Sequence, residues 1–145
     1  KPNYSSFGHT YEIDEMYSYV GSKRNQVWIM YIFDRTTKRV IDFKVGSRSK
    51  NNIKVLIDQV LIQCPKQIGT DGLNFYKSLI PSAIHKVGLN YTRHIERFNL
   101  NLRTHLKYLN RKSICFAKNI KMLEASLKLY FWGSLGHNKS VSLMS

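Results

Sequence analysis

The sequence predicts one mixed α/β domain in which three antiparallel strands precede alternating helices and strands. Two patterns carry this prediction. Early segments contain branched and aromatic residues in runs that suit strands, whereas later segments repeat apolar residues at the spacing of a helix. With 145 residues, of which 43% are hydrophobic, the chain is long enough to bury a core.

The first three predicted strands form a meander joined by short polar turns. Residues 10–20 are rich in Tyr and branched side chains, and residues 27–34 form a nearly continuous apolar run suited to the middle of a sheet. Residues 40–45 alternate between apolar and charged side chains, which predicts a strand with one solvated face. The apolar residues of this third strand are Ile41, Phe43 and Val45.

Helices and short strands alternate after the meander. Pro65 ends the first predicted helix, and Pro81 ends the second. Residues 133–145 are rich in Ser and Gly without helical spacing, so we expect a flexible tail after a domain that spans residues 1–132. The helices are predicted at 51–63, 74–79, 93–109 and 117–131, and the short strands at 67–70 and 83–87.

The charge of the chain favours a polyanionic partner. The sequence has 23 Lys and Arg against nine Asp and Glu, a formal net charge of +14 at pH 7. The excess is concentrated after residue 71, where 12 basic residues accompany two acidic ones. Such an excess attracts nucleic acid through release of counterions. The plainer alternative is a basic, solvated surface with no specific partner.

Three of the few carboxylates stand where a metal-dependent phosphoryl-transfer enzyme needs them. Asp14 lies in a strand-like segment, Asp71 follows a short strand, and Glu96 lies on the basic helix predicted at 93–109. Carboxylate clusters bind Mg²⁺, and paired Mg²⁺ ions act on phosphodiesters. We therefore expect these three side chains to converge on one metal site.

Two of these carboxylates also have plainer interpretations. Asp14 could be a solvated strand residue, and periodicity does not decide whether it or a neighbour is the ligand. Glu12 should share the face of Asp14, and Glu15 should lie on the opposite face. Asp71 precedes a glycine, and this pair is common in turns.

The basic helix carries a polar stripe beside its apolar face. Glu96, Asn99, Arg103 and Lys107 are separated by three and four residues, which returns each to nearly the same direction. We expect Glu96 to ligate metal while the two cations of the stripe meet phosphate. The alternative is an ordinary solvated stripe.

Other chemistries find less support in the sequence. It contains no nucleophile-elbow serine, phosphate-binding glycine loop or dinucleotide fingerprint. Cys64 and Cys115 lack zinc-finger spacing and are expected to be reduced and at least half-buried, with the cytoplasm as the default compartment. His94 is interpreted as a surface or phosphate-contacting residue. The longest apolar run, 27–33, is too short to cross a membrane.

Three segments resemble the catalytic blocks of the insertion-sequence-1 family of bacterial transposases. The first is Tyr-Glu-Ile-Asp-Glu at 11–15 with Tyr-Val-Gly at 19–21, and the second is Thr-Asp-Gly-Leu-Asn-Phe-Tyr at 70–76. The third is the most distinctive. It reads His-Ile-Glu-Arg-Phe-Asn-Leu-Asn-Leu-Arg-Thr-His-Leu at 94–106, with Arg-Lys-Ser at 111–113. The similarity extends from residue 11 to about residue 132.

The resemblance implies a ribonuclease H-like fold, a mixed sheet flanked by helices, with an Asp-Asp-Glu active site. It implies that Asp14, Asp71 and Glu96 are catalytic and hold Mg²⁺, for which Mn²⁺ can substitute. The basic residue that the family places downstream of the Glu falls on Arg103. The implied function is cleavage of DNA at the ends of an insertion sequence and transfer of those ends to target DNA.

The implied partners are the DNA of the transposon ends, target DNA, and further copies of the chain in an active homo-oligomer. The implied location is the bacterial cytoplasm, at the nucleoid, and no membrane is involved. Family members usually carry an upstream zinc-binding segment and helix-turn-helix, and these 145 residues show neither. We therefore expect DNA binding without sequence preference. The expected DNA contacts are Arg93, Arg97, Asn99, Arg103, Lys107, Arg111 and Lys112.

Two alternative functions stay open on the sequence. The first is a hydrolytic nuclease or resolvase with the same fold and no strand transfer. The second is a decayed fragment that only binds DNA. Strand transfer on pre-nicked ends separates the first from a transposase, and metal-dependent cleavage separates the second.

Overall fold

The computed structural model describes residues 7–22, 24–72, 74–112 and 119–133, which form five strands and four helices. The order of strands and helices predicted from the sequence is confirmed. Within these residues, no helix combines the length and apolarity that crossing a membrane requires. The elements are β1 Thr10–Tyr19, β2 Gln26–Asp34, β3 Arg39–Gly46, α1 Lys50–Leu61, β4 Gln67–Thr70, α2 Asn74–Leu79, β5 His85–Val87, α3 Leu89–Lys112 and α4 Ile120–Trp132.

The five strands form one mixed sheet in the order β3-β2-β1-β4-β5. The pairs β1–β2 and β2–β3 are antiparallel, as expected of a meander joined by short turns. The pairs β1–β4 and β4–β5 are parallel. The chain reaches β4 from β1 through β2, β3 and α1, and it reaches β5 from β4 through α2, which gives the long connections that parallel pairing requires. Strand β1 therefore lies at the centre of the sheet.

Each face of the sheet carries an apolar core. On one face, α3 and α4 pack against alternate residues of β2 such as Ile29 and Tyr31. On the other face, α1 and α2 pack against the intervening residues, such as Met30 and Ile32. The alternation follows from the strand repeat of two, and it explains why β2 is apolar almost throughout.

Strand β3 departs from the predicted alternation. The pairing shifts between Ile32 and Phe33 of β2, which leaves Ile41 as an extra residue in the ladder. Ile41 packs in the core beside α1, whereas Phe43 and Val45 pack in the core beside α4. The prediction of one solvated face is wrong because a bulge reverses the alternation and helices cover both faces.

Individual positions also differ from the sequence-based expectations. Helix α3 begins at Leu89, four residues before the predicted start, because its first turn has no apolar repeat that would reveal it. Cys64 is exposed, not half-buried, and lies in the turn after α1 with a φ of 48°. Cys115 and the tail beyond residue 133 lie outside the described residues.

The two leucines Leu127 and Leu129 of α4 test how this helix is docked. Leu127 is 0% exposed and Leu129 is 66% exposed. Replacement of Leu127 by Ala should lower the free energy of unfolding by about 2–5 kcal/mol, because it leaves a cavity between helix and sheet. Replacement of Leu129 by Ala should change it by no more than about 0.5 kcal/mol. Urea titrations followed by circular dichroism measure both, and equal losses would contradict the described packing.

Candidate active site

Strands β1 and β4 bring two of the expected carboxylates together. In the parallel pairing of these strands, Glu12 is the partner of Gly69. Asp14 lies two residues after Glu12 and Asp71 lies two residues after Gly69, so the two aspartates occupy matching positions. Carboxylate oxygens of Asp14, Glu15 and Asp71 lie within 4.8 Å of one another. Asp14 is half-buried, Glu15 is buried and Asp71 is exposed, so the cluster opens to solvent on one side.

Glu96 lies on α3 beside this cluster. Its half-buried side chain is close enough for its charge to raise the pKa of Asp14. In the part of the chain that the structure describes, however, the carboxylates that could share one ion are those of Asp14, Glu15 and Asp71. The role of Glu96 as a metal ligand therefore stays a prediction.

Hydrogen bonds fix the orientation of Asp14. The Asn99 amide donates from Nδ2 to Asp14 Oδ2 over 3.1 Å, and the Glu15 backbone N–H donates to Oδ1 over 2.9 Å. The other end of the Asn99 amide, Oδ1, accepts from the Tyr31 hydroxyl over 2.5 Å. Asn99 is only 5% exposed, and both the oxygen and the nitrogen of its side-chain amide are hydrogen-bonded within the protein. The buried, hydrogen-bonded position of Asn99 fits a residue that positions Asp14, and it does not fit the DNA contact expected from the sequence.

The environment of Asp14 favours its protonated form in the absence of a cation. Burial is the largest cause and raises the pKa of Asp14 to about 7. The hydrogen bond from the Glu15 backbone opposes this increase, whereas the charges of Glu15, Asp71 and Glu96 add to it. A set of carboxylate oxygens crowded in this way fits a hard divalent cation, whose charge would offset the repulsion.

Glu15 reaches the cluster from the opposite face of β1, on the side of α2. The Tyr76 hydroxyl donates to Glu15 Oε2 over 2.6 Å, and Arg48 Nη2 lies 3.0 Å from Oε1 as an ion pair. Arg48 also stacks on Trp28, with the guanidinium carbon 4.7 Å from the ring centroid. Burial raises the pKa of Glu15, and the Tyr76 hydrogen bond and Arg48 counteract that increase. Arg48 follows β3 in a segment without periodicity, so no sequence pattern identified it.

Glu12 does not belong to the carboxylate cluster. It is fully buried against α3, where its Oε1 accepts the Ile95 backbone N–H over 2.9 Å. His94 Nδ1 lies 3.0 Å from Oε2, but among the described residues neither atom makes a hydrogen bond. Arg35 Nε is 3.9 Å from the same oxygen. His94 is therefore half-buried against a carboxylate, in contrast to the surface or phosphate-contacting position expected for it.

The cations expected to meet DNA are arranged along the outside of α3. Arg93, Arg97, Arg103 and Lys107 are exposed, as a phosphate-binding surface requires. The side chains of Arg111 and Lys112, at the end of α3, lie outside the described part of the structure.

The raised pKa of Asp14 predicts a pH-dependent stability in the presence of a metal chelator. The ordinary value is 3.8 and the folded-state pKa is about 7, so the folded protein binds this proton more tightly than the unfolded chain. The resulting stabilisation is complete below about pH 4 and is lost as the pH rises to about 7. Asp14→Asn removes this titration. The free energy of unfolding of the native protein should therefore fall relative to the variant across that window, and a difference independent of pH would contradict the assignment.

Comparison with known proteins supplies the family. A family model described as the IS1 transposase matches residues 9–132. The chain is 37% identical over 114 residues to the InsB protein of insertion element IS1 4 from Escherichia coli (strain K12), covering 77% of this chain and 66% of that protein. It is 36% identical over 111 residues to an IS1 InsB protein from Shigella flexneri, covering 77% of this chain and 85% of the relative. The chain thus spans about two thirds of the Escherichia coli relative.

A solved structure supports the fold. One chain of a simian T-cell lymphotropic virus intasome, in complex with PP2A regulatory subunit B56 gamma, superposes with a TM-score of 0.55. The match covers 76% of this chain and 44% of that chain at 18% identity. Together with the mixed five-stranded sheet, it confirms the expected ribonuclease H-like fold. The family match covers nearly all described residues, and the chain belongs to the IS1 transposase family.

Proposed function

We propose that this chain is the catalytic domain of a transposase that cleaves DNA at the ends of an insertion sequence and joins them to target DNA. The observation that supports it most directly is the convergence of Asp14, in β1, and Asp71, just after β4, in a cluster where burial and then like charges raise the pKa of Asp14. Perturbed carboxylates in such a cluster are typical of catalytic sites.

Asp14, Asp71 and Glu96 are the proposed holders of divalent metal, Mg²⁺ with Mn²⁺ as a substitute. Glu15 is a further carboxylate within reach of the first two. Bound metal would supply an activated nucleophile, charge neutralisation at the phosphate and stabilisation of the leaving oxygen. In cleavage, water attacks phosphorus and the bond to the 3′ oxygen breaks, which frees a 3′-hydroxyl. In transfer, that hydroxyl attacks a target phosphate and displaces another 3′ oxygen.

The protein supplies orientation and substrate binding. Asn99 holds one oxygen of Asp14, and Tyr76 and Arg48 hold Glu15, so the carboxylates are arranged before substrate arrives. The exposed cations of α3 extend from the site and are the proposed contacts to DNA phosphates. Joining two ends to one target needs two sites, so we expect a homo-oligomer in the active complex, acting in the bacterial cytoplasm where the DNA is.

The first test of this function removes one carboxylate at a time. Asp71→Asn and Glu96→Gln should reduce Mg²⁺-dependent cleavage of element ends to background while leaving DNA binding intact or slightly tighter, because each keeps the shape and removes a negative charge. Glu124→Gln makes the same charge change on α4, outside the cluster, and should retain activity.

This test uses an active parent transposase, with linear end DNA, pre-nicked ends and a target plasmid. Near-normal cleavage by Asp71→Asn or Glu96→Gln would show that the ligands are wrongly assigned. Cleavage without joining of pre-nicked ends would identify a hydrolytic nuclease, and binding without any cleavage by the parent would identify a DNA-binding remnant.

The second test concerns the cations of α3. Arg103→Ala should weaken binding to all duplex sequences alike and lower the slope of affinity against salt by about one unit, since one phosphate contact is lost. Its free energy of unfolding should change by no more than about 0.5 kcal/mol because the side chain is exposed. Lys54→Ala removes one exposed cation from α1 and should leave DNA affinity unchanged. A fluorescence anisotropy titration at several salt concentrations measures both variants, and a stability loss without a change in affinity would assign Arg103 to the fold.

A further inference from the structure

The proposed chemistry gives no role to the buried carboxylate of Glu12. Glu12 is 0% exposed, and removing a carboxylate from water costs free energy that replacement by apolar residues would avoid. Its contacts are concentrated on two consecutive residues of α3, the His94 ring and the Ile95 backbone N–H. Ile95 is the seventh residue of the helix, beyond the first turn in which backbone N–H groups lack helical partners. A side-chain acceptor at that point marks a specific attachment of strand to helix.

A second attachment lies directly beside the first. Gly69, the pairing partner of Glu12 on β4, lies against the carbonyl of Tyr91 on α3. A Cβ at position 69 would come within 2.0 Å of that oxygen, so only glycine permits the helix to approach so closely. Adjacent strands thus hold one short segment of α3, from Tyr91 to Ile95.

Each of the three proposed metal-binding carboxylates lies one or two residues after one of these attachments in the sequence. Asp14 is two residues beyond Glu12, Asp71 is two residues beyond Gly69, and Glu96 directly follows Ile95. Over one or two residues, the regular geometry of a strand or a helix leaves little freedom in where the next side chain lies. The two attachments therefore control how far Glu96 stands from the two aspartates.

We propose that Glu12 and Gly69 are positioning residues, a clamp that fixes α3 against β1 and β4 and thereby sets the metal affinity of the site. The clamp rests on the proposed function, in which Glu96 and the two aspartates bind divalent metal. Residues that orient metal ligands from behind commonly change metal affinity about 10–100-fold when they are replaced.

The experiment measures binding of Mn²⁺ alone to the whole chain at one fixed pH, through the loss of the electron paramagnetic resonance signal of the free ion. Glu12→Gln keeps the shape but exchanges the charged acceptor of the Ile95 N–H for a neutral amide, which weakens that hydrogen bond and also removes the charge that faces His94 and Arg35. Gly69→Ala places a methyl group against the Tyr91 carbonyl. Both variants should weaken Mn²⁺ binding by about tenfold or more.

Matched controls separate positioning from simple destabilisation. Asp34→Asn removes another carboxylate that is 0% exposed and beside a histidine, with His9 Nδ1 2.7 Å away, but its contacts are with the lead-in to β1 and the turn after β2. Gly46→Ala adds a Cβ that meets only the Asn52 side chain, at 3.3 Å. Neither control should change Mn²⁺ affinity, even where the free energy of unfolding falls as much as in the clamp variants.

The outcomes distinguish the clamp from the function on which it rests. Wild-type Mn²⁺ affinity in Glu12→Gln, with binding lost in Asp71→Asn, would overturn the clamp and leave the metal site standing. Wild-type affinity in Asp71→Asn would overturn the metal site itself. Equal weakening in Asp34→Asn and Glu12→Gln would show that general stability, not position, sets the affinity. Should Gly69→Ala fail to fold, the comparison of Glu12→Gln with Asp34→Asn decides.

Discussion

Strand β1 carries three carboxylates into the centre of the fold, and each depends on a partner from another element. Glu12 accepts the Ile95 N–H and Asp14 accepts the Asn99 amide, both from α3. Glu15 points to the other layer, where Tyr76 and Arg48 hold it. Buried charge requires such partners, so the cluster exists only when helices have closed over both faces of the sheet. Formation of the site is in this way coupled to completion of both cores.

The carboxylates of the cluster repel one another, and a bound cation would relieve that repulsion. Burial and three neighbouring charges raise the pKa of Asp14, which means that its ionised form is disfavoured in the metal-free fold. A divalent cation binds the ionised form and offsets the repulsion, so metal binding would both expel a proton and stabilise the domain. Arg48 supplies a single positive charge at Glu15, which relieves only one side of the cluster.

The sequence predicts the elements well because their periodicity reflects burial on the two faces of the sheet. The limits of β4 and α2 agree with the structure, and the convergence of Asp14 with Asp71 follows from strands that pair side by side. The helical repeat predicts that Asn99 lies on the polar stripe of its helix, but a repeat gives directions and not depth. The depth to which that stripe is buried depends on how closely α3 approaches the sheet, and the absence of a side chain at Gly69 permits a close approach at Tyr91. The sequence does not reveal the role of Arg48, because an ion pair between distant segments leaves no local pattern.

Helix α3 combines packing, site construction and the proposed DNA contacts along one axis. Its sheet-facing residues, such as Leu102, are buried, and Arg103 and Lys107 are exposed. Glu96 is half-buried, and its charge contributes to the raised pKa of Asp14. At 1.5 Å per residue, Lys107 stands about 16 Å along the axis from Glu96. That distance corresponds to about five base-pair steps of 3.4 Å along the axis of a duplex. A duplex whose reacting phosphate lies at the carboxylates and whose axis runs along α3 would therefore meet the cations within half a helical turn. The rigid helix that fixes Glu96 would then also fix the direction in which the DNA leaves the site.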